Sequence, residues 1–220
     1  MTRGEARQFA RFLMDDKTAN LVGDPDMNVM LDQAVYKTVG LIRRLKDEYF
    51  VKSAALATAA NTRAYAFTVV ATDVHRIRFI EKNSSPKYVR LERVDWLTHK
   101  LEFDATGEPG YYAELNKTIY VLKVPDAAYN YTVFYDQTIT LPTADATEIP
   151  VIPVEYHDLV AIWGAMLAAQ NLAQYSKVGE GTIGIIGSLL QERQNDLSLE
   201  LTGKRWDDVE VAAGAVGSDV

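Results

Sequence analysis

The apolar residues of this chain change their period twice, and that double change limits the architecture more than any other feature of the sequence. From residue 25 to about 47, Met27, Leu31, Ala34, Val35, Thr38, Leu41 and Ile42 recur at steps of three and four, the mark of a long amphipathic helix. Between residues 49 and 153 this period disappears. Short runs rich in Val, Ile, Tyr, Phe and Thr replace it, punctuated by Gly, Pro, Asn and Asp. From Tyr156 the helical spacing returns through Leu159, Val160, Trp163, Met166 and Leu167, and it is repeated in Ile186, Leu189, Leu190 and Leu197. The pattern predicts an α+β protein: a helical bundle built from N- and C-terminal helices, with an inserted antiparallel β barrel or sandwich. The boundaries read as 1–48 and 154–200 for the bundle, 49–153 for the insert and 201–220 for a C-terminal tail without periodicity.

Local signals refine this outline. Thr2 and Glu5 stand at capping-box spacing ahead of Phe9, Phe12 and Leu13, which predicts a short helix over 3–15. Asp24 followed by Pro25 reads as an N-cap with proline at the first helical position. In the middle, strands are expected at 50–57, 64–69, 74–81, 88–93, 111–115, 118–124 and 131–137. Asn116-Lys117 makes a two-residue hairpin between two of them. Prolines at 142, 150 and 153 make the exit from the insert stiff and extended.

Composition excludes several kinds of function. The chain of 220 residues contains no cysteine, which removes disulfides, thiolate metal sites and a cysteine nucleophile. No run approaches the roughly 20 apolar residues of a membrane span, and the N-terminus lacks the apolar core of a signal peptide. A soluble protein with no membrane association, staying in the compartment where it is made, is expected. The formal charge of −7 argues against tight wrapping of DNA, which needs clustered cations, yet it suits a passage through which DNA slides.

Motifs that could carry chemistry fail on context. Gly179-Glu180-Gly181-Thr182-Ile183-Gly184 matches G-x-G-x-x-G, but a helix rather than a strand precedes it, so the glycines read as ending one helix and starting the next. Asp24, Asp26 and Asn28 imitate a calcium loop, but Val29 stands where that loop needs glycine and Val35 where it needs glutamate, leaving helix capping as their role. His75, His99 and His157 fall in three separate segments with no metal partner at helical or hairpin spacing and no nucleophile nearby. Ser188 after Gly187 is not an elbow nucleophile, since Ile186 and Leu190 occupy the positions that motif gives to glycine. No catalytic, cofactor-binding or metal-binding residue is assigned, and no cofactor is expected.

One surface remains. Tyrosines of the β segment interleave with Arg76, Arg78, Arg90 and Arg93, a mixture that stacks on single-stranded nucleic acid or builds protein interfaces. The acidic surroundings favour the interface, with Arg76, Arg78, Tyr88, Arg90, Tyr111 and Tyr112 as its candidates. A nucleic-acid-binding accessory module using the same residues is the alternative.

The order of segments resembles the head-to-tail adaptor family of tailed bacteriophages. The resemblance is carried by an N-terminal helix pair, then Tyr65, Asp73-Val74-His75-Arg76-Ile77 and Pro109-Gly110-Tyr111. It continues through Ile119-Tyr120-Val121-Leu122-Lys123-Val124-Pro125 and Tyr131-Thr132-Val133-Phe134-Tyr135. Ile149-Pro150-Val151-Ile152-Pro153 then feeds Tyr156-His157-Asp158-Leu159 and the closing helices. One departure is Thr68-Val69-Val70-Ala71, where such adaptors often carry Leu-Pro before the aspartate. The resemblance implies a non-enzymatic structural protein of the virion, assembled in the host cytoplasm, forming a ring commonly of twelve copies at the head-tail interface. It implies as partners the portal protein, a tail nozzle or tail tube protein, and genomic DNA passing without sequence-specific contact. On this view Leu201, Lys204, Arg205, Trp206 and Val209 in the tail dock on the portal, an aromatic anchor flanked by charge.

Overall fold

The structure is a computed structural model, and it describes residues 1–16, 19, 21–83, 89–99, 104–149, 152–174 and 178–203. The chain divides into two compact units, one formed by Met1–Tyr49 with the described residues from Thr140 onward, the other by Phe50–Ile139.

The first unit is helical. Helix α1 (Arg3–Leu13) opens with the capping box: the Thr2 hydroxyl accepts the Glu5 N–H at 3.2 Å, and the Glu5 carboxylate accepts the Thr2 N–H at 2.7 Å. Its buried face is Ala6 and Ala10 rather than the aromatics, and Phe12 is 63% exposed. These small side chains let α1 lie close to the bundle. Helix α2 (Asp24–Leu45) buries the expected stripe from Met27 to Ile42. It is capped by Gly23, which moves Asp24 into the first turn and Pro25 to the second position. Freed from capping, the Asp24 carboxylate pairs with Arg11 at 2.5 Å and Arg7 at 3.5 Å, tying the two helices together.

Helix α5 (His157–Ala173) follows a single 3₁₀ turn, Val154–Tyr156, and is apolar nearly all round. Such a helix must be covered on every side. It packs against α1, α2 and α6 (Glu180–Thr202), which makes it the centre of the bundle. Helix α5 closes at Ala173, so the glycine pair does not end it; Gly179 caps α6 instead, with Gly181 in its first turn. Residues 140–149, read from sequence as part of the insert, lie along α1. Arg3 donates to the Pro142 carbonyl at 2.8 Å, the Gly4 N–H to Asp145 O at 3.0 Å, and Arg7 holds the Asp145 carboxylate.

The second unit holds two four-stranded sheets, in the orders β1-β8-β3-β4 and β2-β7-β6-β5. Their strands are β1 (Val51–Ala57), β2 (Ala64–Ala66), β3 (Val74–Lys82), β4 (Val89–Arg90), β5 (Glu92–Arg93), β6 (Tyr111–Leu115), β7 (Thr118–Leu122) and β8 (Asn130–Gln137). All pairings are antiparallel except β5 with β6. Leu56, Ile77, Ile80, Tyr131 and Val133 from one sheet and Tyr65, Tyr112, Ile119 and Val121 from the other share one buried core, as in a sandwich; the sheets do not close into a barrel.

Two expected strands are interrupted. The run 64–69 ends at Ala66, and Phe67–Val70 forms a single helical turn, α3, that buries Phe67 and turns Val69 outward. The run 88–93 changes sheets midway. Val89 and Arg90 pair with β3, Glu92 and Arg93 pair with β6, and the buried Leu91 between them donates its N–H to Ile80 O at 2.8 Å. A second helical turn, α4 (Trp96–His99), follows. The hairpin at Asn116-Lys117 has φ of +49° and +57°, the type I′ geometry that matches strand twist.

Candidate functional site

Strands β3 and β8 bring three of the candidate interface residues together. Arg76 and Arg78 alternate with inward-facing Ile77 and both reach Asp136 on the neighbouring strand, at 2.7 Å and 2.8 Å. Asp136 is almost wholly buried while Arg76 is half exposed, so one carboxylate anchors two guanidinium groups at the surface. Arg90 lies 3.8 Å over the Phe79 ring, and Phe79 stacks on Phe134 with centroids 4.5 Å apart. The carboxylate of Glu81 pairs with Arg90 at 3.3 Å. Sequence reasoning missed Phe79 and Phe134; their alternation with buried Ile80 and Val133 is the signal that would have found them.

The other candidates divide differently. Tyr111 is half-buried, but Tyr112 is 1% exposed and sits in the core, so its side chain is not displayed to a partner. Burial raises its hydroxyl to about 12. The sequence named both tyrosines as interface candidates, but neighbouring residues of a strand point to opposite faces, and here Tyr112 takes the inner one. Tyr88, Lys204, Arg205, Trp206 and Val209 lie outside the described residues, and Leu201 is half-buried near the end of α6.

The charges of this surface are matched. Besides the pairs above, Arg93 meets Glu114 at 3.4 Å, Arg63 meets Asp104 at 2.8 Å and Lys52 meets Asp73 at 2.8 Å. Lys82 also pairs with Glu108. Phosphate binding depends on cations that release counterions, and each of the cations named here already faces a carboxylate. The arrangement favours a protein interface over a nucleic-acid groove. Burial pushes the Glu114 carboxyl above the ordinary range, with Arg93 partly offsetting it.

The remaining motifs have local roles. His157 is buried in the helical unit, its Nε2 at 2.8 Å from the Ile152 carbonyl and its Nδ1 at 2.9 Å from the Met1 amine. His75 is exposed, and the Ser188 hydroxyl donates to the Gly184 carbonyl one turn back at 3.0 Å. Among the described residues no group of His, Asp or Glu could hold a metal ion, and no helix is long and apolar enough to cross a membrane.

In both the helical unit and the sheet unit, the polar side chains described above fasten elements to one another or lie paired at the surface. The sequence model of the SU10 adaptor protein family matches residues 1–207, and the chain belongs to that family of bacteriophage head-to-tail adaptors. Its family role is structural rather than enzymatic. No curated protein matches the chain.

Proposed function

We propose that this protein forms a ring, of twelve copies, beneath the portal of a short-tailed phage, where it conducts and helps retain DNA and offers a platform for the tail nozzle or tube. The observation that carries the reading is the family match over 1–207. The matched charges of the sheet unit and the net charge of −7 support passage of DNA without strong phosphate contacts. In this reading, the helical unit acts as the ring body and the sheet unit, Phe50–Ile139, as the insert. Arg76, Arg78, Tyr88, Arg90 and Tyr111 meet a neighbouring subunit or the tail. The segment after α6, with Leu201, Lys204, Arg205, Trp206 and Val209, docks on the portal. The protein resides in the virion at the head-tail interface and assembles in the host cytoplasm.

Electron microscopy of the purified protein mixed with its portal tests this. Twelve-fold density added to the tail side of the portal is the expected result. A protein that never joins portal rings and is missing from mature virions overturns it.

A further inference from the structure

Helices α2 and α6 each bury one face against α5 and carry exposed apolar side chains on the opposite, otherwise polar face. On α2, Val29, Tyr36 and Gly40 follow at helical spacing opposite the buried stripe, and Val29 and Tyr36 are 56% and 55% exposed. On α6, Ile185, Ser188, Glu192 and Leu199 follow at heptad spacing, with Ile185 70% and Leu199 46% exposed. Both faces thus set exposed large apolar side chains among polar ones, the mixed composition of a protein interface.

The two faces differ in charge. Beside the α2 face lies a cavity of about 400 Å³ lined by Lys37, Arg44, Trp163 and Gln194, with no carboxylate in its wall. The Trp163 Nε1–H is shielded from solvent and has no acceptor among the described residues, and the Lys37 ammonium lies 4.9 Å from that ring. The charged groups at this site are cations only, and one buried N–H has no acceptor. The α6 face is the reverse: a shallow groove at Gly184, Gly187 and Ser188, bordered by Glu192 and Asp196. Asp196 is paired with Arg193 at 3.1 Å, while no cation among the described residues pairs with Glu192.

We propose that the outward face of α6 in one copy seats on the outward face of α2 in the next, with Glu192 entering beside Lys37 and Arg44. The proposal rests on the ring reading above and names the surfaces that close it. A ring requires a heterologous contact, two different patches that meet head to tail, and this chain carries a complementary pair. Two-fold contacts are disfavoured by the same charges. An α2–α2 contact sets Lys37 and Arg44 against themselves, and an α6–α6 contact sets Glu192 and Asp196 together.

Native mass spectrometry of the full chain, with and without its portal, tests the assignment. The wild type is expected to form rings, K37E and E192K each to lose them with unchanged circular dichroism, and the K37E/E192K double variant to regain them. The natural absence of cysteine allows a second measurement. A Cβ on Gly40 meets nothing within 4 Å, and Ser188 is exposed, so G40C and S188C leave the fold intact. Mixed and oxidised, they are expected to link as heterodimers, while neither links alone. Rings that survive both charge reversals, with no mixed disulfide, overturn the surface assignment and leave the ring reading standing. A wild type that forms no ring in solution or on the portal overturns both.

Discussion

Gly164 of α5 lies directly against Leu31 of α2: a Cβ added at Gly164 would stand 2.7 Å from Leu31 Cδ2, well inside van der Waals contact. Leu31 is 2% exposed and held by its neighbours, so it cannot swing aside without disturbing the bundle. G164A is expected to lose about 1 kcal/mol net, because overpacking outweighs the helix propensity gained, and G164V about 3 kcal/mol. For a chain of this size each kcal/mol lowers Tm by about 3 °C. The check is a double-mutant cycle with L31A, which vacates the space the new methyl needs. Strictly additive losses would show that the two helices do not meet through this pair.

Asp136 is the shared acceptor of Arg76 and Arg78, and its removal leaves Arg78, which is only 18% exposed, without the carboxylate it faces. D136A is expected to destabilise by about 1–3 kcal/mol in urea unfolding, the usual range for losing hydrogen bonds to a charged group. The same change releases the exposed guanidinium of Arg76 on this surface. Salt-dependent affinity for short single strands should therefore appear in D136A and be absent from the wild type. Strong wild-type binding would instead revive the nucleic-acid reading of this face.

The two carboxylates with opposite environments in the sheet unit set opposite pH slopes. The hydrogen bond from Lys52, joined by one from Tyr135, holds Asp73 below the ordinary range. Its contribution is complete above the unfolded value and is lost as pH falls through the folded one. Glu114 is raised by burial, so its protonated form suits the fold, and stability falls as pH rises through the glutamate range and beyond. At pH 7, E114Q is expected to raise Tm relative to wild type and D73N to lower it, with both differences shrinking toward pH 3. Melting curves across that range measure the two slopes separately.

Much of the fold was legible because it depends on local chemistry. The Thr2–Glu5 box needs only two side chains three residues apart, and Asn116-Lys117 sits between two runs whose register a two-residue turn dictates. What escaped depends on partners distant in sequence. Leu91 looks like the middle of one strand, yet Ile80 on one side and the β6 edge on the other divide it between sheets. Phe12 has the hydrophobicity of a core residue, but Ala6 and Ala10 take the buried face because α5 approaches closely there. The arginines stood out in the sequence by their interleaving with tyrosines; their anchor, Asp136, lies 60 and 58 residues from Arg76 and Arg78 and carries no local mark.

Helix α6 ends at a glycine and is fastened well before that end. Gly203 closes the helix in the left-handed region at φ +71°, its N–H donating to Leu199 O at 2.9 Å. The helix is secured upstream, where Arg193 holds Asp158 at 2.7 Å and the Glu155 carbonyl at 2.9 Å, and the Tyr156 hydroxyl donates to Glu200. Truncation after Gly203 is therefore expected to leave Tm within about 2 °C of wild type, since it removes none of these contacts. If the tail supplies the portal contact, the same truncation should reduce co-sedimentation with portal rings at least tenfold. W206A alone should account for most of the loss, because a single aromatic anchor commonly carries such an interface. Equal co-sedimentation of the truncated and full-length proteins would move the portal contact onto the helical or sheet unit.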